Sequence, residues 1–395
     1  MTVLAAPFSG GRRLALWSAS VGAAGLVLTA VGGLFDPRRA LHAYLVAFTY
    51  WLGIALGALT LLGSFHASSA RWPVVLRRFL EHLQAATPLF IPLFIPILLG
   101  RHQLFPWTVP DSLPEDLRRL VALKHPYLNT PFFAARAVLY FACWTALAEL
   151  LRRWSLRQDA QGGVALTRWQ RRLGAGSLPL LALTLSFAAF DWLMSIDPRF
   201  YSTIFGAYWF AGSFVSAFGV VIIAAALTRR DPAQFGSRMN LEHFHSLGKF
   251  LLAFTAFWAY MAFSQLLLIW IANVPEEVPW YLRRIQGGWL PVGIFLALGM
   301  FLVPFFLLLS RDLKRSPRAL AGVAAWVLLA HWVDIYWLVM PQLDPAGPRP
   351  SLWDLTAFVG VGGAAVAFTI LRMRGSAPVP VRDPYLEDSL RYLPS

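Results

Sequence analysis

The 395-residue chain holds a single cysteine, Cys143, and only eight histidines. One thiol excludes an internal disulfide, a cysteine-ligated iron–sulfur cluster, a covalently attached c-type haem and a cysteine-rich zinc site. Charge is scarce too. Asp, Glu, Lys and Arg make up 14% of the residues, 20 acidic against 34 basic, for a net charge of +14. No basic stretch interleaved with aromatics stands on a polar segment, so the positive excess is not a nucleic-acid footprint. Glycine-rich phosphate loops and zinc signatures of the HExxH type are absent. Of the histidines only His331 lies deep in an apolar run. His42, His66, His82, His102, His125, His243 and His245 fall at run ends or between runs, leaving no intramembrane pair for a b-type haem.

What the chain has in abundance is oil. Hydrophobic residues are 57% of the total and mean hydropathy is +0.57. A soluble domain of this size has no interior large enough for that much apolar surface, so the composition indicates an all-α integral membrane protein. Ten runs of about twenty apolar residues lie near 14–34, 41–64, 83–100, 131–151, 178–196, 203–227, 248–272, 289–310, 319–340 and 353–371. The first follows Arg12 and Arg13 but has no convincing cleavage site, and reads as a retained helix rather than a signal peptide. Outside the runs, 22 Lys and Arg fall on one side and 10 on the other. The side with the excess, which holds both termini, is expected to be cytoplasmic. The outer loop near 101–130 reads as a short cap. The tail from about 372, with Pro378, Pro380 and Pro384, reads as an extended segment bound to a partner.

A weak internal repeat is visible. Tyr50-Trp51 in run 2 matches Tyr208-Trp209 in run 6, and Asp191-Trp192 in run 5 matches Asp334-Ile335 in run 9. Runs 4 and 8 both exit into arginine-rich segments. The expected organisation is helix 1 (1–40), a first four-helix bundle (41–200), a second parallel four-helix bundle (201–345), and helix 10 with the tail (346–395).

Ionisable groups inside apolar runs are costly and therefore candidates for function. Arg136, Glu149, Asp191, Lys249, His331 and Asp334 qualify. His331 and Asp334 are three residues apart on one helix face, where a carboxylate beside an imidazole can pass protons near neutral pH. Asp191 and Arg136 fit either a structural ion pair or a proton-transfer or ligand-contact role. Glu242, His245 and Lys249 share a helical stripe that continues to Tyr260 and Ser264. That stripe suits a proton path, or equally snorkelling at its mouth with ordinary interhelical bonding deeper in. Glu149 at a helix end also suits a solvated charge. Pro88, Pro92 and Pro96 should kink run 3, and Gly53 with Gly57 is a packing signal. No catalytic, metal-ligating or cofactor-ligating residue is expected.

Several longer strings carry a family resemblance. They are Lys124-His-Pro-Tyr-Leu-Asn-Thr-Pro-Phe-Phe133, Phe190-Asp-Trp-Leu-Met-Ser-Ile-Asp-Pro198 running to Tyr201-Ser-Thr-Ile-Phe-Gly206, and Leu247-Gly-Lys249. Phe257-Trp-Ala-Tyr-Met-Ala-Phe-Ser-Gln265, Ile269-Trp-Ile-Ala-Asn-Val-Pro-Glu-Glu277, His331-Trp-Val-Asp334, Val339-Met-Pro341 and Asp383-Pro-Tyr-Leu-Glu-Asp-Ser-Leu390 continue it. Over nearly its whole length the chain resembles the NrfD-like, polysulfide-reductase-type membrane subunits. It is most similar to the F-type member of that family found in alternative complex III, the quinol:cytochrome c oxidoreductase. The resemblance implies a bacterial inner-membrane subunit with no redox centre of its own. Its partners would be the related C-type NrfD-like protein, the B-type iron–sulfur protein, the A-type and E-type haem c proteins, and the D-type component of that complex. A quinone is possible on this chain, and a proton half-channel through Asp191, Lys249, His331 and Asp334 is implied. Ser246 departs from the expected Asp after the span-7 His, which puts the inner half of that channel in question. A purely structural anchor, a quinone-binding subunit of another NrfD-type oxidoreductase, and a secondary transporter are the other readings.

Overall fold

The computed structural model describes residues 7–393. They are helical almost throughout, with no strand among them. Ten helices are long and apolar enough to cross a membrane: Arg12–Phe35 (α1), Pro37–Ala67 (α2), Val74–Leu99 (α3), Thr130–Gln161 (α4), Val164–Ile196 (α5), Phe205–Thr228 (α6), Leu241–Ala272 (α7), Gly287–Leu309 (α8), Pro317–Gln342 (α9) and Leu352–Met373 (α10). Each overlaps one apolar run, but α3, α4, α5 and α7 overrun theirs by seven or more residues at the end expected to be cytoplasmic. An apolar run marks only the stretch that can sit in lipid, and the backbone continues to hydrogen-bond as a helix beyond it.

Helix starts are chemically marked. Asp36 accepts from the Arg39 amide ahead of α2, with Pro37 in the first turn. Asn240 and His243 form a reciprocal cap on α7, and Ser351 and Asp354 do the same on α10. Proline breaks α3 as expected. Its axis divides at Ala85–Leu89, where Thr87 Oγ1 donates to the Gln84 carbonyl at 2.6 Å and Tyr44 reaches the Leu93 carbonyl at 2.6 Å. The middle of α8 widens to a π-helix over Leu296–Leu302, and Trp326 Nε1 donates to the Gly299 carbonyl there at 2.7 Å.

Packing centres on α2, of whose most apolar stretch 94% is buried. It lies against α1, α3, α5, α6, α9 and α10, while α6 also carries α5, α7 and α9. The α2–α6 approach is set by small residues. A methyl added at Gly57 would lie 2.3 Å from the Ser213 carbonyl oxygen, and one at Gly53 would lie 2.6 Å from Ser213 Oγ. Helix α1 closes on α10 in the same way, Gly22 against Gly363 and Gly25 against Gly360, with Thr29 and Thr356 hydroxyls 2.9 Å apart.

The tail is not held free for a partner. After α10 it runs across one end of the molecule against its own chain. Phe8 and the 375–376 segment exchange two backbone hydrogen bonds, and Asp383 pairs with Arg77 at 2.7 Å. Tyr385 is sandwiched between the guanidinium groups of Arg71 and Arg171. Ser389 Oγ bridges the Trp72 carbonyl and the Val75 amide, and the Tyr392 carbonyl accepts from Asn240 at the start of α7. Prolines confine helix in this segment to the short stretch Leu386–Leu390, and its apolar and polar residues still found a surface: Val379 and Ser389 are fully buried.

Two outcomes follow from this packing. Gly57→Ala should push α2 from α6 and cost about 1–3 kcal/mol, read as a lower thermal unfolding midpoint in detergent. Asp383→Ala should loosen the tail and raise its rate of proteolytic cleavage by at least about tenfold, with α1–α10 intact.

Candidate functional site

His331 and Asp334 sit where α6, α7 and α9 meet, with Tyr50 of α2 alongside. Both are buried, at 0% and 1% exposure. The carboxylate is the hub. Oδ1 accepts a short hydrogen bond from the Tyr208 hydroxyl, and Oδ2 accepts from Trp258 Nε1 and from His331 Nδ1, each at 3.2 Å. Nδ1 is thus the His331 nitrogen turned to the carboxylate, and Nε2 is the one turned away from it. Among the described residues nothing donates to that nitrogen. The ring fits because position 212 is glycine. A Cβ there would lie 2.2 Å from His331 Cε1. The Tyr50 ring lies 5.6 Å away, its own hydroxyl committed to the Leu328 carbonyl.

Asp191, paired with Asp334 only as an expectation from sequence, is held quite differently. Arg136 of α4 grips both oxygens, Nε to Oδ2 and Nη2 to Oδ1, each at 2.8 Å. Tyr140 adds a third donor at 2.8 Å. The guanidinium is itself fixed by the Tyr127 carbonyl and lies over the Tyr127 ring at 3.8 Å. A bidentate pair reinforced by a third donor is a lock between α4 and α5.

Of the remaining sequence candidates Glu149, Glu242, His245 and Lys249 lie toward the other end of the molecule, while Tyr260 and Ser264 are further along α7, near the level of Trp258 and Gln265. Glu149 pairs with Arg372 at the end of α10 and sits 3.6 Å from Arg153. Glu242 pairs with Arg315 at 2.6 Å, with His245 Nδ1 3.6 Å from its second oxygen. Lys249 is exposed, Tyr260 is 62% exposed and Ser264 is half-buried. Along this stripe Lys249 and Tyr260 face outward, whereas Glu242 is buried at the start of α7 and His245 and Ser264 are half-buried. Ser246, on the inward side, meets the Tyr392 hydroxyl of the tail at 3.0 Å. Nearby, burial and then Lys249 hold the Lys314 ammonium below its ordinary range.

Two buried polar groups escaped the sequence reading. At the start of α3, Arg77 and Arg78 engage Glu81, with Arg78 also on Asp159 of α4, and His82 Nε2 meets Ser376 Oγ at 2.9 Å. They precede the apolar run and so read as loop charges; the Arg-Arg-x-x-Glu-His spacing, one helical face, was the available signal. The second is Arg284, fully enclosed before α8. It donates to the Trp280, Trp337 and Leu338 carbonyls and stacks on Trp280 at 3.5 Å. It closes the C-terminal end of α9, where a cation complements the helix dipole.

One recess of about 270 Å³, lined by Leu123, Pro126, Phe190, Met194 and Phe200, opens near the α5–α6 connection. Of its polar members Lys124 donates to the Pro198 carbonyl at 2.7 Å and Asp197 pairs with Arg283, while the Tyr127 hydroxyl is buried without a partner. Among the described residues, no three of His, Cys, Asp and Glu come together as a metal site. Comparison with known protein families finds no match, and comparison with curated proteins finds none either.

The Arg136–Asp191 lock makes a quantitative prediction. Asp191→Asn should destabilise by about 3–5 kcal/mol, because it leaves a buried guanidinium without its counter-charge. The Arg136→Met/Asp191→Leu double variant should lose much less than the two single changes together, measured as a double-mutant cycle of unfolding midpoints.

Proposed function

We propose that this chain is a cofactor-free, multi-pass subunit of a quinol-oxidising complex of the NrfD-like kind, in the place of the F-type membrane component of alternative complex III. In this reading α2–α5 and α6–α9 are two parallel four-helix bundles in a bacterial inner membrane, flanked by α1 and α10, with both termini cytoplasmic. The neighbouring components of that complex, among them the C-type NrfD-like protein, the B-type iron–sulfur protein and the haem c proteins, would carry the redox chemistry. Support comes from the ten apolar helices, the 22-to-10 asymmetry of basic residues, and the motif strings.

The observation that carries a proton-handling role is the buried His331–Asp334 pair with its unpartnered Nε2. A buried polar atom left without a partner costs about 1–3 kcal/mol and calls for a reason. A base backed by a carboxylate supplies one. Nε2 takes a proton, Asp334 balances the imidazolium, and Tyr208 and Trp258 steady the carboxylate through the cycle. Outward of Tyr208 the next hydroxyl chain is Tyr281, Gln265 and Ser202, linked at 3.1 and 3.2 Å. In this reading water would have to bridge Tyr208 to that group for it to serve as an exit on the side opposite the termini. The other half has no enclosed counterpart here, and in this reading a neighbouring protein against the exposed face of α7 completes it.

The anchor reading is favoured by one specific observation. Asp191, Glu149 and Glu242 are all held in ion pairs. The two readings separate at Asp334. Asp334→Asn in the assembled complex should lower protons released per electron while quinol oxidation stays near the wild-type rate. An unchanged proton yield, with the complex intact, would leave the anchor. Purifying the tagged chain in mild detergent tests the complex itself, which requires a c-haem spectrum and iron–sulfur partners.

A further inference from the structure

At the end of the molecule expected to be cytoplasmic, a cavity of about 910 Å³ opens between the C-terminal end of α6 and the N-terminal end of α9. Three arginines line it: Arg229 and Arg230 just past α6, and Arg318 in the first turn of α9. All three are exposed, and among the described residues none is engaged in a salt bridge or side-chain hydrogen bond. That sets them apart from their neighbours, since Arg315 pairs with Glu242 and Arg238 donates to the Pro232 carbonyl. No carboxylate lines the cavity. The nearest in sequence, Asp231, accepts from the Ala233 amide in its own turn. The N-cap of α9, Ser316, makes no side-chain cap, and no acidic residue occupies the first turn. Below this basic rim the lining turns apolar through Ala226, Leu227 and Ala321, with Leu227 79% exposed.

A one-sign polar rim above an apolar wall, at the edge of the apolar zone, matches a ligand that is anionic at one end and oily at the other. We propose that this cavity binds the phosphate-bearing headgroup of an anionic phospholipid, its acyl chains running down the α6–α9 groove past Leu227 and Ala321. Guanidinium groups suit the phosphate because they present paired donors to its oxygens. The volume lies in the range of sites that take small molecules. The site rests on the membrane reading of the ten helices but not on any role in quinol oxidation.

Titrating the detergent-purified assembly with short-chain phosphatidylglycerol, and following bound lipid by native mass spectrometry, tests it. Phosphatidylcholine of the same chain length and inorganic phosphate serve as the two comparisons. At roughly fivefold per arginine, Arg229→Gln/Arg230→Gln/Arg318→Gln should bind phosphatidylglycerol about a hundredfold more weakly. Arg12→Gln/Arg13→Gln/Arg168→Gln, equal in charge change but elsewhere on the same end, should bind as wild type. Arg318→Gln alone, a single exposed change, should weaken binding roughly fivefold and covers the case where the triple variant does not fold. Equal binding by wild type and the pocket variants overturns the site. Displacement of the lipid by inorganic phosphate at equal concentration overturns the lipid and leaves a soluble anion. Failure of the wild-type assembly to enter vesicles of any composition overturns this proposal together with the membrane reading.

Discussion

The close approach of α2 and α6 is the constraint on which the rest depends. Glycines at 53 and 57 let Ser213 come within van der Waals range of the opposing backbone. In apolar surroundings there is no hydrophobic drive between two oily helices, so surface fit and close backbone contact must hold them. Every other helix is then placed relative to this pair, with α5, α9 and α10 filling its sides. A dry, small-residue centre also leaves no room for charge, and the ionisable side chains are displaced to the ends and to the junctions with α4, α7 and α9.

Those junctions show how partners rather than residue type decide what a buried carboxylate can do. Asp191 near the end of α5 and Asp334 in α9 are both buried. One faces a guanidinium that grips both its oxygens, and the other faces an imidazole, an indole and a phenol. The first arrangement opposes any change of charge. The second shares a modest negative charge among neutral donors, one of which can itself become a cation.

Much of this was legible in sequence. The ten helices were readable because lipid demands long unbroken apolar runs, and His331 with Asp334 was readable because three residues bring two side chains onto one face. What lay beyond was of two kinds. Helix ends and the Arg77–His82 face were obscured because polar residues outside an apolar run look alike whether they form loops or buried helix. The orientation of the α7 stripe was obscured because periodicity shows which residues share a face but not where that face points. Lys249 and Tyr260 are on one side of α7, and that side is the outside. The tail's docking on its own chain was hidden for a related reason: its prolines mark it as largely non-helical, and only the fold revealed the surface that received it.

The clasp made by the tail has a bearing on how the molecule is made. Residues 376–392 join the start of α3 to the start of α7, and they follow all ten helices in the chain. Until they arrive, Arg77 and the start of α7 stay uncovered. Closing that face is a step of maturation that waits on the segment after α10. A message cut short after α10 yields a product with the full set of helices and an unsealed inner surface, a difference that quality-control proteases of the cell can read.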